Sequence, residues 1–334
     1  MKILQIANYT EGMGGISVQV KLQRDKLRGE GLICDTISTK GSMVTRCKAI
    51  YELFTRGRGY DVFHIHVCSD RGFLPAVLGI SIGRLLKKRI ILTYHGGGAE
   101  RFFQKRHAIV KFFLSRTSEN IVLSAFIGNI FDRFGIKYSV IPNIVELNET
   151  VFRIRPEIMP KFICLRSFYE TYNIKCALQA FQIVQSEYSD ASLTLLGDGP
   201  LRSECEQYVN ENHLKNVIFA GQIPNESIFD YLDNADIMVS SSRFDNMPVS
   251  ILEGFNAGLL VIASNVGGVP YMVNHRIDGL LFEDNNPKDM AEQMLYALSH
   301  QDHVGMMIQN ARKHLKDYSW EQLRDRYLSL YRMI

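Results

Sequence analysis

Residues 240–258 read SSSRFDNMPVSILEGFNAG, with two acidic residues, Asp245 and Glu253, seven residues apart and Pro248 between them. Just before it, the apolar run Ala235 to Val239 (ADIMV) reads as a buried parallel strand. The Ser/Arg/Asp/Asn cluster then reads as a loop, and PVSILEGFNA as a helix with Pro248 at its first position. Asp245 falls in the loop and Glu253 about a turn and a half into the helix. Between them the backbone N–H groups of Val249, Ser250 and Ile251 open the helix, an anion site by geometry and by dipole. One carboxylate on each side of such a helix start suits a nucleotide-sugar: Glu253 for the ribose hydroxyls, the helix end for the diphosphate, Asp245 for the hydroxyls of the sugar beyond. The plain alternative is a polar loop followed by an ordinary amphipathic helix capped near Met247.

Outward from this stretch, short β-branched runs alternate with helical stretches along the whole chain. In the first half KILQIA, ICDTIS, VFHIHV, RIILTYH, NIVLS and YSVIP read as strands, with helices such as ISVQVKLQRDKLRG between them. In the second half KFICLRS, ASLTLLG, NVIFAG, ADIMVS and LLVIAS repeat the pattern. Continuous apolar strands alternating with amphipathic helices imply an α/β class with doubly wound parallel sheets, and there are enough strands for two. Prolines and polar residues interrupt the pattern over residues 141–160, which places a Rossmann-like domain over 1–147 and a second over 148–318. Two such domains facing across a cleft would bind ligands at their C-terminal strand edges.

At 334 residues and 46% hydrophobic content the chain can bury two cores. No run approaches the about 20 apolar residues that span a bilayer, and the N-terminal apolar stretch is too short for a signal peptide, so a cytoplasmic protein is expected. Cys34, Cys47, Cys68, Cys164, Cys176 and Cys205 form no CxxC pair and have no His partner at metal spacing, so they read as reduced structural thiols. The net charge of +3 hides a division: residues 1–150 carry 22 Lys and Arg against 12 Asp and Glu, and the remainder 16 against 23. Basic residues cluster in GRLLKKR (83–89) and RFFQKRH (101–107). They are either solvated helix faces or a surface for an anionic partner, such as a phosphorylated acceptor or the inner face of an anionic membrane; nothing points to nucleic acid.

The acid-x7-acid pair resembles the retaining glycosyltransferase family 4, whose members carry Glu at both positions. Asp245 in place of the first Glu keeps the charge and shortens the reach by about one bond length. The resemblance implies the GT-B architecture, in which a final helix, here SWEQLRDRYLSLYRMI (319–334), crosses back to the first domain. It also implies roles along the chain. Gly14 and Gly15, in EGMGGIS, match a glycine loop that looks onto the donor diphosphate; the GxGG spacing is a weak nicotinamide signature. His95, at the strand end TYHGGG, faces the transferred sugar in similar enzymes, whereas His64 and His66 read as packing or acceptor-side residues. Arg166 matches a phosphate-binding Arg, but the family's Lys-Gly pair six residues on is Tyr172 and Asn173 here. Either Arg166 carries the phosphate with the helix start, or a cation such as Lys175 substitutes, with Tyr172 donating a hydroxyl. LLGDGP, with Gly197, resembles a second glycine motif, and backbone near Ile223 resembles the uracil-facing region. Asn246, Met247, Val249 and Ser250 complete the donor set.

The function implied is a retaining, metal-independent hexosyltransferase using a nucleotide-sugar, UDP-linked by the family's habit, on a saccharide or lipid-linked acceptor in bacterial surface glycan synthesis. His95, Asp245 and Glu253 are the candidate catalytic residues. No Asp-x-Asp stands at a strand end to hold a divalent ion. The family implies front-face attack with the departing phosphate oxygen as base. A sugar-nucleotide epimerase, a phosphorylase and a non-catalytic nucleotide-sugar-binding protein remain as rivals.

Overall fold

The protein is described by a computed structural model over residues 1–12, 14–148 and 151–332. The chain forms two compact units, Met1–Glu146 with Tyr318–Ile334, and Leu147–Asp317. The first is built from β1 (Lys2–Ala7), α1 (Gly15–Gly29), β2 (Ile33–Ser38), α2 (Met43–Thr55), β3 (Val62–Val67) and α3 (Leu74–Leu85). It continues through β4 (Arg89–Tyr94), α4 (Ala99–Leu114), β5 (Glu119–Val122), α5 (Ala125–Arg133) and β6 (Ser139–Val140). Its sheet has the order β2-β1-β3-β4-β5-β6, and the paired strands run parallel. A helix follows nearly every strand because parallel neighbours need a crossover. Leu4, Ile6, Phe63, Ile65, Ile90 and Leu92 bury one face of this sheet; Ile3, Val62, Ile91 and Ile121 bury the other.

The second unit contains β7 (Lys161–Leu165), α6 (Ile174–Glu187), β8 (Ser192–Leu196), α7 (Arg202–Glu211), β9 (Val217–Gly221) and α8 (Ile228–Asp233). It ends with β10 (Ile237–Ser240), α9 (Val249–Ala257), β11 (Leu260–Ser264), β12 (Leu280–Phe282), α10 (Pro287–Ser299) and α11 (Gln301–Leu315). The order is β12-β11-β10-β7-β8-β9, again parallel. The strand β12 is an addition to the sequence pattern: at three residues it is too short to show a period. From β7 the chain winds first toward β8 and β9 and then returns to place β10 on β7's other side. The topological switch point, where open α/β sheets bind ligands, therefore lies between β7 and β10.

The last helix, α12 (Trp320–Tyr331), belongs to the first unit. It lays Trp320, Leu323, Tyr327, Leu330 and Tyr331 on the sheet face formed by Ile3, Val62, Ile91 and Ile121. Arg324 clamps Glu30 through Nε at 2.7 Å, and the Tyr327 hydroxyl donates to the Pro142 carbonyl at 3.0 Å.

In the second unit Arg155 fixes α9 from behind. Only 1% of its side chain is exposed, and it donates to the carbonyls of Leu232, Ala235, Ala257 and Gly258 and to Asp236 Oδ1. These are the last carbonyls of α8 and α9, which have no partner within their own helices. Burying one cation against two helix C-termini sets where the α9 N-terminus points.

Candidate active site

The sequence candidates of the second unit meet at the β7/β10 switch. Arg166 follows β7 directly, and its Nε and Nη2 both reach Ser240 Oγ, at 3.2 and 3.3 Å, at the end of β10. Arg166 Nη2 also lies 3.0 Å from Asp245 Oδ2, an ion pair whose side chains are only 11% and 18% exposed. The other carboxylate oxygen of Asp245 accepts from the Asn246 N–H at 2.9 Å. Oδ2 is buried and takes no aligned hydrogen bond among the described residues, so it keeps an acceptor direction open. The Tyr172 ring stacks under the guanidinium, 5.5 Å from the centroid. The short 3-10 turn carrying it is tied to the loop after β10: Ser241 Oγ donates to the Tyr172 carbonyl and the Arg243 N–H to the Thr171 carbonyl.

Two glycines allow this closeness. A Cβ at Gly197 would stand 2.3 Å from the Arg166 carbonyl oxygen, and the residue holds φ +144°. A Cβ at Gly268 would stand 1.9 Å from the Asn246 carbonyl oxygen, while the Gly268 N–H donates to the Asp245 carbonyl at 3.1 Å. Gly268 and Ser240 are site residues that the sequence reading passed over. The signal for the first was a Gly-Gly pair two residues beyond a strand end.

The helix α9 differs from expectation in two details. Pro248 is the N-cap, in extended conformation (φ −65°, ψ 120°), and Val249 is the first helical residue: the ring fixes φ at a value helix and extended chain share, and ψ sets Pro248 outside the helix. The Ile251 N–H is not free: it donates to the Pro248 carbonyl at 3.2 Å. The N–H groups of Val249 and Ser250 have no protein acceptor among the described residues, and the Ser250 hydroxyl is buried without a hydrogen-bond partner there. The side chains of Asn246 and Met247 are turned inward, 0% and 5% exposed, so these residues shape the loop from its core.

Glu253 is partly buried and takes no hydrogen bond or ion pair among the described residues. Burial raises its carboxyl to about 7, with Arg166 pulling the other way. Lys175, the suggested substitute cation, is engaged elsewhere, 2.8 Å from Glu204 at an exposed position. Arg166, Gly197 and Ile223 follow the successive strands β7, β8 and β9, so Ile223 stands two strands from the switch at the edge of the sheet.

In the first unit Gly14 caps α1 with φ +82° and Gly15 begins it. His95 follows β4, and its Nε2 lies 3.0 Å from His66 Nδ1. His66 stacks on His64 at 4.3 Å, and His64 bonds Tyr331 Oη at 2.7 Å and Thr93 Oγ1 at 2.8 Å. Burial lowers all three imidazoles, His95 to about 4 and His64 to about 3 with His95 adding to the latter, so each is neutral at pH 7. The pairing of His66 with His95 is a contact that alternation on a strand does not reveal.

Residues 152–314 match the family described as Glycosyl transferases group 1, and residues 30–149 that described as Glycosyltransferase Family 4. An uncharacterized glycosyltransferase of Methanocaldococcus jannaschii is 24% identical over 79% of this chain and 73% of its own length. The alpha-monoglucosyldiacylglycerol synthase of Streptococcus pneumoniae is 28% identical over 72% of this chain and 59% of its own. The N-acetyl-alpha-D-glucosaminyl L-malate synthase of Bacillus anthracis is 26% identical over 51% and 44%. Among solved structures, Anabaena HepE in complex with UDP and glucose has a TM-score of 0.80 at 15% identity, with both chains covered in full. Sucrose-phosphate synthase from Thermosynechococcus elongatus reaches 0.83 at 18%, over 99% and 98%. These likenesses establish the GT-B fold.

Proposed function

The chain belongs to the group 1 glycosyltransferases of family 4, and from that premise we propose that it transfers a hexose from a UDP-sugar, with retention, to a saccharide or lipid-linked acceptor used in surface glycan synthesis. The observation that carries the donor assignment is Arg166, held at the β7/β10 switch by Ser240 and Asp245 beside the open start of α9. Its Nη1 has no acceptor among the described residues, so one edge of the guanidinium is available to a diphosphate while the other is used for positioning. The N–H groups of Val249 and Ser250 and the Ser250 hydroxyl add donors toward the same charge.

As the sugar–phosphate bond breaks, negative charge grows on the diphosphate, and fixed donors there lower the barrier with no reorganisation. Asp245 Oδ2 accepts from a sugar hydroxyl, and Glu253 from the ribose. His95, neutral, hydrogen-bonds a sugar hydroxyl without adding charge. No step in this reading requires a divalent ion. UDP as carrier is supported by HepE, captured with UDP and glucose, and a lipid acceptor by the relative named for an alpha-monoglucosyldiacylglycerol. Among the described residues no helix is long and apolar enough to cross a membrane, so contact with an inner membrane face would be peripheral.

The test is a thermal-shift screen of the full chain over UDP-, GDP- and ADP-sugars, followed by UDP release with and without acceptor. A UDP-sugar should raise the melting temperature most, and acceptor should accelerate release. No shift with any nucleotide-sugar would end the reading, and an epimerised free donor would turn it toward an epimerase.

A further inference from the structure

An open cavity of about 520 Å³ lies in the first unit, lined from α2, the turn after β3, α3 and α4. Three arginines face it: Arg46 on α2, Arg71 in the turn and Arg106 on α4, where the helix kinks at φ −128°, ψ 30°. Among the described residues none of the three has an ion-pair partner, and Arg46 Nε is buried with no hydrogen bond. The one carboxylate in the lining is Asp70, so the cavity carries an uncompensated positive charge. The rest of its lining, Phe73, Leu74, Val77, Phe102 and Ile109, is apolar, and Phe73 and Phe102 are buried. On the same two helices, Met43 and Val44 of α2 are 73% and 78% exposed, and Phe112 of α4 is 50% exposed.

Unpaired cations held together repel one another and stay together at a cost unless an anion joins them. Arginines that share a cavity with apolar and aromatic side chains, on helices that also expose apolar residues, match a ligand that is a phosphate at one end and a hydrocarbon at the other. We propose that this cavity binds the phosphate of an amphiphile, a hydrocarbon phosphate or diphosphate, with the chain running past Phe73 and Phe102 and out over α2 and α4. The turn that carries Asp70 and Arg71 is tied to the strand that leads to His95: the Ser69 and Tyr94 hydroxyls are hydrogen-bonded at 2.8 Å. That the amphiphile is the sugar acceptor rests on the transferase reading above; that it binds does not.

Isothermal titration of the full chain with monomeric decyl phosphate, decanol and inorganic phosphate tests this. Decyl phosphate should bind at least tenfold more tightly than either of the others. Arg46→Ala, and independently Arg71→Ala on its exposed turn, should weaken it tenfold or more, Arg46→Lys should restore part of the loss, and all should bind UDP-glucose as the wild type does. Decanol binding as well as decyl phosphate would leave an apolar pocket only, and inorganic phosphate binding as well would leave a bare anion site. Either result overturns the proposal, as does no binding or equal binding by both alanine variants. If decyl phosphate behaves as expected and no nucleotide-sugar binds, the cavity stands and the transferase reading falls. If UDP-glucose binds and decyl phosphate does not, the reverse holds.

Discussion

The two units share one topology and differ in how charge is placed at their strand ends. The first has the excess of basic residues, yet the polar cluster at the ends of β3 and β4 is three neutral imidazoles, a threonine and a tyrosine. The second is acidic in sum, yet its switch point holds a guanidinium and a helix N-terminus. Net charge of a unit therefore says little about which ligand its sheet edge takes, because a few buried groups in low dielectric outweigh many solvated ones. The charged edge suits a diphosphate and the neutral edge suits hydroxyls.

The sharpest way to break this contrast is Arg166→Ala. Transfer kcat/KM should fall about 100-fold or more, about 2.7 kcal/mol of transition-state stabilisation, with donor KM rising and kcat falling together. Unchanged steady-state kinetics would remove the charged edge from the donor site. Asp245→Asn should lower transfer kcat/KM more than tenfold. It also removes the charge that positions Arg166, so part of the loss should appear in donor KM. Asp245→Glu sharpens the point: the carboxylate is mostly buried and already 3.0 Å from Arg166 Nη2, so a longer side chain must displace the pair and the Glu variant should be impaired.

A smaller effect belongs to Glu253. Its carboxyl is raised to about 7 from 4.5 by burial. The folded state thus holds a proton that the unfolded chain has released above pH 4.5. Whatever the protonated form contributes to stability, present in full below 4.5, is lost as pH rises through about 7. Ribose binding needs the opposite form, since the ionised carboxylate accepts from two hydroxyls. Affinity for a UDP-sugar, whose esterified diphosphate does not titrate there, should rise severalfold between pH 6 and pH 8, and the Glu253→Gln variant should be flat. A flat wild-type profile would take Glu253 out of the donor contacts.

The smallest change tests the neutral edge. Tyr331→Phe leaves His64 Nδ1 buried without its partner, which should lower the melting temperature by a few degrees through about 1–3 kcal/mol. Nucleotide affinity should be kept. A loss of UDP binding in this variant would show that the two edges do not act separately.

Much of this was legible from residues alone. Runs such as VFHIHV and KILQIA gave their strands without error in extent, because a parallel strand buried on both faces keeps apolar residues on both, even where His64, His66 and Gln5 are buried among them. The acidic pair was read from its spacing and Arg166 from the family resemblance, and the structure brings Arg166 and Asp245 together. What was not legible depends on atoms brought together from afar: the Ser240 hydroxyl under Arg166, the Lys175–Glu204 pair that removes a rival cation, and the His66–His95 contact. Pro248 was misplaced by one position, since N-cap and first helical residue differ only in ψ. The strand β12 was missed because three residues carry no period.

The return of α12 to the first sheet has a consequence for the order in which the molecule is made. Ile3, Val62, Ile91 and Ile121 lie among residues 1–121, but the helix that covers them is translated only after the whole second unit. During synthesis the second unit has all its strands and can close first, while the older sheet waits with one apolar face uncovered. A ribosome that stalls between residues 317 and 331 would therefore release a chain whose second unit is complete and whose first is adhesive. Solubility of the first unit is thus tied to a helix separated from it in the chain by the whole of the second.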